Sequence, residues 1–377
     1  MILAQNITIR HCSIYDMPRA GINIGDGCWG GDVIEFCDVF DTVKETGDHG
    51  SFNSWGRDRY WRPKIAEVNA WVKEVPELPR LDAVKPVILR NNRWRCDHGW
   101  DIDLDDGSSN YLITNNLCLH GGIKNREGYG RLVENNIMVG GSLNPHVWFA
   151  ESGDIFRHNI VWTAYRPALM HRPPWGQEMD YNLMQKEGTE TSPATALQRQ
   201  SGRDEHSIVA DAQFMDPARG DYRVKDGSPA LALGFLNFGM DQFGVQKPAL
   251  RAIARTPVLL GPTQAAATIA ARDTTPRDIA PRGWLGVKVR NIADEGEMSA
   301  FGLPGVTGVL ILEVPSDSPP MKAGLKKNDV ILSVNGAKTA DVASLLQLAP
   351  SLTAGQTLSV GVSRDQKVIT LLFEQLK

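Results

Sequence analysis

A short motif that returns every 20 to 25 residues sets the tightest limit on how this chain can fold. It reads Ile9-Arg-His-Cys12, Ile34-Glu-Phe-Cys37, Leu89-Arg-Asn-Asn92, Ile113-Thr-Asn-Asn116, Val133-Glu-Asn-Asn136 and Phe156-Arg-His-Asn159, with a weaker copy ending at Asn182. Successive closing positions lie 25, 55, 24, 20, 23 and 23 residues apart. Five intervals agree, and the sixth must carry a long insertion. Leucine-rich repeats have this period but need several leucines per unit, and these units have one or none at fixed places. What recurs is a short β-branched strand closed by Asn-Asn. In a parallel coil, equivalent residues stack about 4.8 Å apart, and a corner Asn can pass amide hydrogen bonds from turn to turn while tolerating left-handed backbone. Cys12 and Cys37 share one slot of that ladder, which suits a small inward-facing residue.

These repeats resemble the right-handed parallel β-helix domains of carbohydrate-active enzymes, the superfamily that includes pectate lyases and polygalacturonases. The resemblance spans about residues 1–240 and takes in the closing segment from Asp211 to Ala230. The expected domains are a β-helix over 1–244 lacking its first turns, a Pro/Ala-rich linker over 245–280 with a short helix through 263–272, and a small α+β domain over 281–377. The last resembles the bacterial PDZ domain. Its signature is Gly283-Trp-Leu-Gly-Val-Lys, Gly308-Val-Leu-Ile-Leu-Glu-Val and Ala323-Gly-Leu-Lys-Lys-Asn-Asp-Val-Ile-Leu-Ser-Val-Asn-Gly336, although Asn328 stands where Gly is usual. The resemblance implies binding of an extended peptide C-terminus as an added strand. Trp284, Leu285, Gly286 and Val287 would hold the carboxylate, and a helix near 340–348 would form the other wall. A docking module with an unused groove is the alternative.

The densest polar chemistry lies in Asp101-Ile-Asp-Leu-Asp-Asp106. Alternation along a strand sends Ile102 and Leu104 inward and Asp101, Asp103 and Asp105 outward together. Like charges about 7 Å apart raise one pKa, as a general acid requires. Aligning coils on Asp106-Gly, Glu127-Gly and Glu151-Ser-Gly sets Asp103 beside Lys124 and then Trp148. The same count sets Asp101 beside Gly122 and then His146, and Asp105 beside Arg126, while Phe52 pairs with Ile102. The insertion adds His49, Asn53, Trp55, Arg57 and Asp58. Nine of the ten tryptophans fall between residues 29 and 175, so an aromatic, polar wall is expected there, with simple packing of the loop as the alternative.

The Asp-Asp-Gly-Ser-Ser-Asn stretch at 105–110 and Gly-Ile-Lys-Asn-Arg-Glu at 122–127 look like β-helix glycosidases of the fucosidase and xylanase type. That resemblance implies hydrolysis of a polysaccharide or complex glycan. Asp103 and Asp105 would be the acid and the base or nucleophile, supported by Asp101 or Asp106. Lys124, Arg126, Glu127, His146 and Trp148 would line the substrate site. Two alternatives stand beside it. One is a lyase in which the aspartates hold Ca²⁺ and Lys124 or Arg126 removes a proton. The other is a non-enzymatic glycan-binding solenoid whose working end is the PDZ domain. No metal or other cofactor is expected for the hydrolase, and an EF-hand is disfavoured because Asp106 stands where Gly is required and Leu112 where the bidentate Glu belongs.

A net charge of −4 gives no basic field for nucleic acid, and no apolar run approaches the ~20 residues of a membrane span. Five cysteines without CxxC spacing read as free thiols. Met1-Ile-Leu-Ala-Gln runs directly into a strand pattern, so a fragment without its leader is expected, with a cytosolic chain as the alternative. The expected compartment is the periplasm or the cell exterior.

Overall fold

The computed structural model describes residues 1–25, 28–259, 277–348 and 357–374. The helix expected through 263–272 lies outside them. Two compact units result, Met1–Arg272 and Asp273–Lys377.

The first unit is a parallel β-helix. Successive coils stack their strands in three sheets of seven, nine and five strands, the later coils giving none to the third. Val87–Arg90, Tyr111–Thr114, Leu132–Glu134 and Ile155–Arg157 stack in the first sheet; Trp100–Asp105, Ile123–Asn125 and Leu143–Pro145 stack in the third. The 55-residue interval is one coil rather than two, because Val33 pairs directly with Ile88. Its surplus residues include helix Ile65–Glu74. That helix and its neighbours pack Tyr60, Val68 and Phe149 into a small core of their own.

The repeat works as its chemistry requires, with two roles divided between adjacent residues. The first residue of each corner pair takes the left-handed conformation: Phe36, Asn91, Asn115, Asn135, His158 and Tyr181 have φ of 54, 53, 57, 58, 54 and 56°. The second forms the ladder. Asn92 donates to Asn116 Oδ1 at 3.1 Å, Asn116 to Asn136 at 3.0 Å, Asn136 to Asn159 at 3.1 Å and Asn159 to Asn182 at 3.2 Å. Each carboxamide oxygen also accepts a backbone N–H from the preceding coil, as Asn136 Oδ1 does from Asn116 at 2.9 Å. Buried amides thereby meet their hydrogen-bonding needs internally. Between the sheets lie Ile34, Leu89, Ile102, Ile113, Ile123, Val133 and Phe156, all essentially inaccessible. All five cysteines are free thiols, four of them buried. The closing segment forms an antiparallel hairpin, Phe214–Asp216 with Asp221–Val224.

The second unit is a mainly antiparallel sheet with short helices. Strand order along the sheet is Arg282–Trp284, Val287–Asn291, Val309–Glu313, Val330–Val334, Thr357–Arg364 and Lys367–Glu374. Trp284, Val289, Ile311, Leu325, Ile331, Leu345 and Val360 form its core. Asp329, in the signature stretch, accepts the Lys326 N–H at 2.8 Å and is paired with Arg364.

Candidate functional site

The acidic strand Trp100–Asp105 lies where the sequence places it, and its register to both neighbours is largely as expected. Phe52 pairs with Ile102, Asn53 with Asp103, and Asp103 with Lys124. One coil further the count slips: Lys124 pairs with Asn144, not Trp148. Trp148 belongs to the apolar core, where its indole donates to Asn125 O at 2.7 Å. His146 follows the strand, donating its N–H to Asn125 O, and so lies by Arg126 rather than Gly122.

The carboxylates do not stand in an open groove. Asp101 and Asp103 are 0% exposed and Asp106 2%; the Asp105 side chain is 18% exposed. The roof is built from Asp48 and the stretch 56–61, on either side of the neighbouring strand Gly50–Trp55. Lys124 reaches Asp48 at 3.3 Å, Arg57 Nε donates to Asp106 at 2.7 Å, and the Trp61 indole donates to Glu127 at 3.2 Å. Tyr60 sits beneath, 1% exposed, bonded through its hydroxyl to Ser109 at 2.9 Å. Of the insertion residues expected to line a substrate site, Asn53 is buried and its amide, oriented by its neighbours, donates to Asp103 Oδ2 at 3.2 Å. His49 accepts from Arg19 at 2.9 Å, and Arg19 lies over the Trp55 ring at 5.5 Å. Arg57 is exposed and Asp58 half-buried, its carbonyl accepting the Trp61 N–H at 2.9 Å.

Within this enclosure Lys124 and Arg126 are shared among four carboxylates. Lys124 Nζ is 3.0 Å from Asp103 and 3.4 Å from Asp105, and 4.1 Å from the centre of the Trp100 ring. Arg126 Nε is 2.7 Å from Glu127, 3.3 Å from Asp106 and 3.6 Å from Asp105. Burial raises the Asp103 carboxyl well above the usual range, against the pull of Lys124. It also raises Asp106, helped by the charge of Asp105, and Glu127. Asp105 ends up lowered, because Lys124 and Arg126 outweigh its desolvation. Lys124 is shifted upward despite burial, by Asp103 and Asp105. Burial and the two cations hold His146 neutral to well below its ordinary pKa.

Asp101 has a different role from its neighbours. Its two oxygens accept backbone N–H groups from Cys96 at 2.8 Å and from His120 and Gly122 at 3.0 Å each. It clamps two successive corners together, and burial pushes its pKa up to about 7. The close glycines were the available signal for this role: a Cβ on Gly121 would fall 2.3 Å from Gly99 O. Asp48 and Trp100, both contacts of Lys124, were not singled out in the sequence.

The second unit offers a different site. Trp284 and Val287 flank a two-residue turn in which Leu285 and Gly286 take φ of 47 and 82°, joining Arg282–Trp284 to Val287–Asn291. Trp284 is anchored in the core, 2% exposed, while Gly286 is exposed and Leu285 half-buried. Helix Val342–Leu348 buries Val342 and Leu345 and exposes Leu346. It is tied to the strand through Asn291, whose Oδ1 accepts the Val342 N–H at 2.7 Å.

Comparison with known proteins agrees with this second unit. Residues 283–373 match the PDZ domain family, so the C-terminal unit is a PDZ domain. A probable periplasmic serine endoprotease DegP-like of Bartonella henselae is 41% identical over 86 residues, which is 23% of this chain and 17% of that protein. The DegP-like protein of Pseudomonas fluorescens is 38% identical over 86 residues, 23% of this chain and 18% of that protein. The chain thus spans less than a fifth of the length of these curated relatives. Among solved structures, the HtrA3 PDZ domain bound to a phage-derived ligand is 21% identical with a TM-score of 0.21, covering 25% of this chain and 86% of that one. HtrA-type protease AlgW with a decapeptide is 21% identical with a TM-score of 0.22, covering 35% and 39%. The glycosidase expectation is corrected accordingly. The relatives are named as serine endoproteases, not glycosidases or lyases, and the aspartates assigned to glycan hydrolysis are roofed over and paired with buried cations. The polysaccharide substrate falls with it. The expected periplasmic compartment agrees with the relatives' names, and no described helix is long and apolar enough to cross a membrane.

Proposed function

We propose that this protein captures the C-terminal end of an extended polypeptide at its PDZ domain, in the periplasm, with the β-helix as the carrier of that domain. The observation that carries the reading is the Leu285–Gly286 turn. It opens strand Val287–Asn291 opposite helix Val342–Leu348, the arrangement in which loop amides can meet a carboxylate and the strand can pair with a peptide backbone. Anions favour such clusters of backbone N–H groups. The match of residues 283–373 to PDZ domains supports it. The relatives' names supply the compartment, and as endoproteases they act on polypeptides.

The test is selection of a C-terminally displayed peptide library on the whole chain. Enrichment of a shared C-terminal pattern is expected, and it should vanish in Gly286→Val, because a branched residue is strained at φ 82°. Enrichment that is absent from the native chain, or unchanged in the variant, would remove the reading. The relatives' names favour a second reading, in which the captured chain is also cut. Since the shared stretch is a small part of those relatives, cleavage would need its own nucleophile here. Digestion of a denatured protein that stops with a serine-directed inhibitor would establish it.

A further inference from the structure

Strand Val287–Asn291 already has a neighbour on each side. On one side lies Val309–Glu313, with Val289 opposite Ile311 and Asn291 opposite Val309. On the other lies the chain's own segment, with Arg282 opposite Val289, Gly283 opposite Lys288 and Trp284 opposite Val287. The segment continues along the strand beyond these pairs, because Asn291 Nδ2 donates to Asp278 O at 2.8 Å. Asn291 thus holds both this segment and the start of helix Val342–Leu348, which places residues 278–284 alongside the strand on its helix side. The direction matters as well. The segment runs antiparallel to the strand with its C-terminal end at the Leu285–Gly286 turn, the polarity that a peptide with its carboxylate at that turn would have.

We infer that residues 278–283 form a built-in strand that fills the peptide groove, so that a ligand pairs with Val287–Asn291 only when this strap swings out. The inference rests on the peptide-binding reading. The strap is suited to move: residues 278–283 are exposed, Ile279 by 50%, and beyond the hairpin pairs it is tied to the strand by the Asn291–Asp278 O hydrogen bond at 2.8 Å. Trp284, buried in the core, is the pivot that stays. A groove open only part of the time binds with an affinity reduced by the open fraction. The domain therefore discriminates in favour of ligands that compete well for the strand.

A reversible lock tests this. Gly283 and Lys288 face each other directly, both are exposed, and a Cβ at 283 meets nothing within 4 Å. Next to a two-residue turn they form a close pair without mutual hydrogen bonds, the geometry a disulfide spans. In the whole chain carrying Gly283→Cys and Lys288→Cys, a peptide from the library selection should bind in reducing buffer and lose at least tenfold in affinity on oxidation. Equal affinity in both states would overturn the strap. Binding in neither state, with the native chain also silent, would overturn the peptide-binding reading itself.

Discussion

The two units treat polar groups in opposite ways. The β-helix buries charge and spends it on itself: Asp103, Asp105, Lys124 and Arg126 form one enclosed network, and every ladder Asn bonds to the next coil. The PDZ domain keeps an apolar core and leaves its useful polar groups, backbone N–H and C=O along one strand, under a thin exposed strap. The lesson is that density of ionisable residues alone does not mark a catalytic site, since here it coincides with an enclosed ion-pair network. A solenoid stacks like residues on successive coils, so a rich acidic stretch there can pair with cations of the next coil, whereas a domain that recruits a strand needs little beyond an accessible backbone.

The largest effect should come from Lys124→Met, which leaves Asp103 buried without its cation and Asp105 with Arg126 alone. It should destabilise the β-helix by about 3–5 kcal/mol in denaturant unfolding, while peptide affinity at the PDZ domain stays the same. A change in affinity would break the separation drawn here. Next comes the pH dependence set by Asp101. Its pKa is raised from 3.8 to about 7 in the fold. The folded state therefore holds the proton that the unfolded chain releases, and stability falls as pH climbs through that window. The loss is up to about 4 kcal/mol from this group. Asp101→Asn should reduce the slope between pH 4 and 7, with the raised Asp103, Asp106 and Glu127 supplying what remains, and a slope identical to the native chain's would remove the assignment. Asn116→Ala should cost about 3 kcal/mol, because the ladder amides on either side lose a partner in a dry interior. A loss below about 0.5 kcal/mol would mean that the ladder relaxes or takes in water.

Much of the fold was legible because a stacked coil repeats its own chemistry. The Asn-Asn closures gave the period, strand alternation gave the inward and outward faces, and aligning coils on Asp106-Gly and Glu127-Gly gave the pairing of Asp103 with Lys124. The next coil was misplaced because counting back from Glu151 assumed corners of equal length. Four extra residues separate strand Leu143–Pro145 from its corner, so Asn144 took the position given to Trp148. Burial was not legible at all. That residues 56–61 fold down over the carboxylates depends on contacts such as Arg57 with Asp106 and Trp61 with Glu127, which no local pattern announces. The PDZ loop was readable from its short signature. The strap was not, since nothing in the residues before Trp284 marks them as a strand until Asn291 is seen holding Asp278.

The most direct check on the central claim compares one selected peptide as its free acid and as its C-terminal amide, titrated calorimetrically against the whole chain. A carboxylate held by loop amides is worth roughly 1.5–3 kcal/mol in charge-assisted hydrogen bonds, so the amide should bind about ten- to a hundredfold more weakly. Equal affinity for the two forms would contradict the account, because the turn at Leu285–Gly286 would then have no terminal carboxylate to hold.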